Sequence, residues 1–129
     1  MGHNPGNATF VDELHWALHY LYDPAKLGKS PLLARFGLEQ SKDPPAALRR
    51  LLTEAVEALK PGPDVPVQAS AWRIYHVLFQ RYVEQFTQRE VAMDLGLSAR
   101  QLRRHETLAL RVLADRLAAE HRLDLGAPQ

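Results

Sequence analysis

Arg100, Arg103 and Arg104 fall within five positions of a chain whose 16 basic and 15 acidic residues leave a net charge of only +1. At helical spacing they share one side of a helix, because residues three and four apart are neighbours there. A guanidinium is a planar fork of donors, suited to bidentate contact with a guanine edge or a phosphate. The charge of the whole chain predicts no polyanion partner, so any such chemistry is local to this patch. The ordinary reading of a charge cluster is a solvated helix face. Its surroundings must decide.

Other residues with chemical capacity carry less. His15 and His19 are four apart, a spacing that can hold zinc. The glutamate of a metalloprotease motif does not follow His15, and no third ligand is evident, so no metal site is expected. His105 reads as a partly buried packing residue rather than a pH sensor. The chain has no cysteine, which excludes disulfides, thiolate zinc sites and a cysteine nucleophile. Neither a nucleophile motif nor a phosphate-binding glycine loop is present, so neither an enzyme nor a cofactor is expected. Trp16, Tyr20, Tyr22, Trp72, Tyr75, Phe79 and Tyr82, at helical spacing, read as core rather than as a ligand cage or base-stacking surface.

The residues that would position the arginines stand just before them. Thr87 and Glu90 have the spacing of a capping box, in which each side chain satisfies the other's backbone amide. Val91 and Leu95 point to one side, and Ala92 is small where a large side chain would hold the next helix away. Gly96 permits the positive φ of a sharp turn. Leu97 folds back as a plug, Ser98 and Gln101 form a second capping box, and Leu102 faces the same small core. Two short helices about a glycine turn make a helix-turn-helix.

These residues resemble region 4 of bacterial sigma factors, the C-terminal region that reads the upstream promoter element. The likeness covers residues 78–113, continuing through Leu102-Arg103-Arg104-His105-Glu106, Ala109-Leu110 and Leu113. It implies that Ala99, Arg100, Arg103 and Arg104 touch DNA and that Thr87 grips the backbone. Ala99 and Arg100 replace the basic-then-acidic pair usual in primary sigma factors, so a different promoter sequence is implied. The sigma-factor regions that melt promoters and hold the polymerase are not recognisable upstream; a polymerase contact is therefore unsupported by any residue. The N-terminal half, with Leu18-His19-Tyr20-Leu21-Tyr22-Asp23-Pro24 and Ser30-Pro31-Leu32, faintly looks like the leading segments of bacterial signalling and regulatory proteins.

Helical punctuation dominates the remainder. Thr9 precedes an apolar series, Phe10, Leu14, Ala17, Leu18 and Leu21, with Asp12 and Glu13 expected in the first turn, and Asp23-Pro24 ends it. Ser30-Pro31 starts a short helix that Gly37 closes. Asp43-Pro44 opens a longer one to Lys60, lined by Leu48, Leu51, Leu52, Ala55, Val56 and Leu59. Residues 61–69 form a proline-rich connector. Ser70 is expected to cap a helix running to about Gln85. The helix from Ala99 runs without a breaker to about Leu123, ~36 Å at 1.5 Å per residue. Its stripe of Leu102, Ala109, Leu113 and Leu117, widened by Leu108, Leu110, Val112 and Leu123, suits either packing on the N-terminal helices or a dimer seam.

The expectation is an all-α chain of five or six helices. A lead-in (1–8) precedes an N-terminal helical part (9–60), the connector, a wingless helix-turn-helix part ending in a long helix (70–123) and a tail (124–129). Residues 1–8 lack the basic and apolar stretches of a signal peptide, and no run reaches the ~20 apolar residues of a membrane span. With the cysteine count, this points to the cytoplasm. The expected function is double-stranded DNA binding in transcription control through Thr87, Ser98, Ala99, Arg100, Gln101, Arg103 and Arg104, with a homodimer as one way to gain affinity. The alternative is a non-enzymatic interaction or oligomerisation module whose helix-turn-helix does not meet DNA.

Overall fold

Proline begins three of the helices, where its fixed φ suits the first turn and its missing amide costs nothing. A computed structural model describes residues 5–123 and Leu125, with side chains from residue 8 onward. Helix α1 spans Pro5–His19, α2 Pro24–Leu27, α3 Leu32–Arg35 and α4 Pro44–Glu57. Asp23 and Asp43 cap α2 and α4: their carboxylates accept from the Lys26 and Ala46 amides, each at 3.2 Å. Helix α5, Ser70–Leu78, runs directly into a π turn, Phe79–Val83. Then come α6, Gln88–Leu95, and α7, Ala99–Glu120. The described residues are all-α, with seven α-helices and no strand. No helix among them is long and apolar enough to cross a membrane.

Helix α7 is the axis on which the others lean, packing against α1, α4, α5 and α6. Phe10, Leu14 and Leu18 of α1, Leu48, Leu52 and Val56 of α4, and Val77 and Leu78 of α5 meet Leu102, Leu113 and Leu117 of α7 in one buried cluster. Polar ties join the two halves of the chain. The Tyr22 hydroxyl donates to the Val83 carbonyl at 2.7 Å, and the Trp72 indole N–H donates to the Val65 carbonyl at 3.1 Å, fastening the connector. The stripe Leu102, Ala109, Leu113 and Leu117 is buried within the chain, so of the two uses the sequence left open it serves packing. Of the widening residues, Leu108 stands out at 46% exposed.

Several element boundaries differ from the sequence expectation. Helix α1 starts at Pro5, so Thr9 lies inside it and part of the expected lead-in is helical; residues 1–4 lie outside the described residues. Asp12 and Glu13 therefore sit mid-helix rather than in the first turn. Glu13 instead pairs with Arg35 just below Phe36, tying α1 to α3. Helix α4 ends at Glu57 and α7 at Glu120, each short of the expected Lys60 and Leu123. Ala69, not Ser70, precedes α5, and no side chain caps it. Of the expected aromatic core, Tyr75 and Tyr82 are buried, but Trp16 and Tyr22 are 37% and 48% exposed. Of the expected tail, Asp124 and residues 126–129 lie outside the described residues.

Candidate nucleic-acid interface

The α6–α7 pair is locally over-determined. At α6, the Thr87 hydroxyl accepts from the Glu90 amide at 3.1 Å while the Glu90 carboxylate accepts from the Thr87 amide at 2.8 Å. Those bonds, the backbone one first, hold the Glu90 carboxyl below its ordinary pKa. At α7 the same box recurs: Ser98 accepts from the Gln101 amide at 3.1 Å, and the Gln101 side-chain oxygen accepts from the Ser98 amide at 2.8 Å. Between them Gly96 adopts φ 67° and ψ 38°, the left-handed conformation that L side chains resist. A Cβ there would touch nothing, so backbone conformation and not space selects glycine. The Leu97 amide donates to the Ala92 carbonyl at 2.8 Å, closing the turn over the buried Val91, Ala92 and Leu102.

All seven residues expected from sequence, Thr87, Ser98, Ala99, Arg100, Gln101, Arg103 and Arg104, are exposed. They do not share one role. Thr87, Ser98 and Gln101 have oxygens committed to the capping boxes, leaving the Gln101 amide nitrogen outward-capable. Arg100, Arg103 and Arg104 enter no ion pair among the described residues. Thr107 and Arg111 extend the same surface, with Leu108 beside them. At 100° per residue, Arg100, Arg103, Arg104, Thr107 and Arg111 all fall within an arc of about 100° on α7. The result is a basic stripe three turns long. Arg111 was legible in principle, standing seven residues after Arg104 and eight after Arg103.

The flanks of the stripe differ. On one side a cavity of about 360 Å³ is lined by Asp12 and His15 of α1 together with Tyr82, Gln88, Arg103 and Glu106. Asp12 borders this cavity without pairing to Arg103. On the other side lies half-buried His105, whose pKa is lowered first by burial and then by the charges of Arg73 and Arg104. His15 packs edge-on to Tyr82 and His19 edge-on to Tyr20, their ring centroids 6.1 and 4.8 Å apart. Among the described residues no cluster of three metal-ligating side chains forms.

Sequence reasoning missed the residues beneath the stripe. Glu106, 7% exposed, lies on the buried side of α7. One of its oxygens accepts from the Arg81 Nε at 2.8 Å and the other from the Gln88 side-chain amide, also at 2.8 Å. Arg81 also donates to the Phe86 carbonyl at 2.9 Å. The signal was a glutamate between Leu102 and Ala109 on the apolar stripe, where a charge requires a partner. Chemically, then, α7 offers a row of free guanidinium donors outside and a satisfied ion pair inside. No protein-family model matches the chain, and no curated protein or solved structure similar to it was found.

Proposed function

We propose that this chain is a DNA-binding module of transcription control, in which α6 and α7 act as a helix-turn-helix. Helix α7 would enter the major groove, with Arg100, Arg103 and Arg104 addressing base edges or phosphates. The first amides of α7, Thr87 and Arg111 would hold the backbone. The observation that carries this reading is the stripe of exposed arginines without acidic partners, on a helix whose start is fixed by the Ser98–Gln101 capping box and the Gly96 turn before it. Such groups have their donors available for an anion. An arginine face built only for solubility would more often be interspersed with carboxylates, as Arg116 and Glu120 are at 3.1 Å further along α7.

Fluorescence anisotropy with a random-sequence duplex tests it. If about three phosphates are neutralised, affinity should fall roughly 40-fold between 50 and 200 mM salt. No binding at low salt by any oligomeric form of the chain would reject the proposal. A second reading has one observation in its favour: Met93 on α6 and Leu108 on α7 are 75% and 46% exposed. On that reading the pair is a protein-interaction surface, and duplex would not compete with the partner.

A further inference from the structure

We infer that Arg81, Glu106 and Gln88 form a clamp that sets the angle between α6 and α7, and so decides where the outer arginines point. Glu106 is the hub. Its two oxygens are divided between the π turn, through Arg81 at 2.8 Å, and the first turn of α6, through Gln88 at 2.8 Å. Rotating or sliding α7 against α6 would break one of these bonds; the Arg81–Glu106 bond is the shielded one, its side chains being only 16% and 10% exposed, whereas Gln88 is exposed.

The π turn is what brings the clamp together. Such turns are frequent at functional positions. Here the turn supplies Gln80, which donates to the Asp94 carboxylate of α6 at 2.9 Å, Arg81, and the buried Tyr82. Beyond its end at Val83, Gln85 adopts a φ of 63° on the way to α6, and Arg81 secures that exit by donating to the Phe86 carbonyl at 2.9 Å. The Asp94 end of α6 is thus tied directly to the π turn through Gln80, and its Gln88 end to α7 through Glu106, which Arg81 in turn holds to the π turn.

A positioning role differs from a purely stabilising one. Replacing both members of a buried ion pair by apolar side chains of similar size is often neutral for stability, whereas the directional constraint is lost. The clamp adds these contacts to the Gly96 turn and the small core between the two helices; what the orientation serves rests on the DNA-binding reading above. The experiment separates the two. The native chain has no cysteine, so spin labels at Met93→Cys on α6 and Ala119→Cys on α7, both exposed positions, report the inter-helix distance without background.

In the Arg81→Met/Glu106→Met variant, the melting temperature should stay within a few degrees of the parent. The distance distribution should shift or broaden, and duplex affinity should drop about tenfold with the salt dependence retained. Glu106→Gln, whose amide oxygen can still accept from Arg81 and whose NH2 can donate to the Gln88 oxygen once that amide flips, should restore most of the narrow distribution. An unchanged distribution in the double variant overturns the clamp, and so does loss of its cooperative melt, which would make the pair structural. A changed distribution with unchanged duplex affinity overturns its role in aiming the arginines. If the parent binds no duplex, the functional proposal fails, and the distance measurement still judges the clamp.

Discussion

On the inner side of α7, Arg81 meets Glu106 at 2.8 Å and is largely withdrawn from water; on the outer side, Arg100, Arg103, Arg104 and Arg111 stand exposed with no carboxylate partner. The side chain is the same and its surroundings differ. A guanidinium whose donors are used internally is costly to disturb and has nothing to offer a partner. One held in water costs little to keep or remove, and its donors remain available. The two sides should therefore separate by experiment: removing one partner of the inner pair should read out in stability, outer substitutions in binding.

The largest stability loss belongs to the floor beneath both. Leu102 is 1% exposed and anchors the start of α7 against α6. Leu102→Ala should cost about 2–5 kcal/mol, the range for emptying a leucine site in a packed core. Urea denaturation followed by circular dichroism measures this. A loss under about 1 kcal/mol would show that the α6–α7 pair is not held by its small core.

Glu106→Ala comes next. It leaves Arg81 partly buried, with the Phe86 carbonyl as hydrogen-bond partner and the Tyr82 ring 5.3 Å away, and with no carboxylate. Breaking a buried pair costs about 3–5 kcal/mol; with residual exposure at both side chains, about 2–4 kcal/mol is expected here. A double-mutant cycle with Arg81→Met should recover most of that loss. Additive losses would mean that the two side chains are not coupled, and the contrast between the faces of α7 would weaken.

Tyr82 sharpens the inner side through pH. Burial first, and the Glu106 carboxylate second, push its phenol up to about 12, against the opposing effect of Arg81. The folded chain therefore holds the phenolic proton more tightly than the unfolded chain, whose tyrosine titrates near 10. The associated stability is fully present below pH 10 and is lost as pH rises from 10 toward 12, on the order of 2–3 kcal/mol in all. Tyr82→Phe should flatten this alkaline decline, measured as urea midpoints across that range. An equal decline in the variant would assign it to other groups.

How much of this was legible in the sequence follows from what each feature depends on. The capping boxes at Thr87 and Ser98, the left-handed Gly96 and the caps at Asp23 and Asp43 are local, set by residues within a few positions, and they could be read directly. The exposure of Arg100, Arg103 and Arg104 followed from the same periodicity that buries Leu102. The π turn could not be read, because Phe79 to Val83 continue the apolar spacing of α5 and no glycine or proline marks the change. The Arg81–Glu106 pair joins residues 25 apart, and only the packing of α5 on α7 reveals it. The end of α7 slipped because the chain closes at Arg122, whose φ is 51°, with the Leu123 amide returning to the Ala118 carbonyl at 2.9 Å, a turn that no glycine announces.

The smallest stability effect, and the sharpest test of the outer side, is Arg103→Glu. Arg103 is exposed and unpaired, and the nearby hydrogen bond, from the Thr107 hydroxyl at 3.0 Å, goes to its backbone carbonyl rather than its side chain. Arginine and glutamate have similar helix propensities. A carboxylate at the fifth residue of α7 gains from the neighbouring Arg100 and Arg104, while the helix dipole, which fades beyond the first turn, adds little. Repulsion from Asp12 across the shared cavity opposes that gain. These contributions nearly cancel, so stability should change by less than about 1 kcal/mol, as for exposed sites generally. Duplex binding should be abolished, because the substitution puts a negative charge where a phosphate or guanine edge would approach. Thermal melting and anisotropy on the same sample decide it. A variant that melts like the parent and still binds duplex removes Arg103 from the interface; one that unfolds places Arg103 with Arg81, among the arginines that hold the fold.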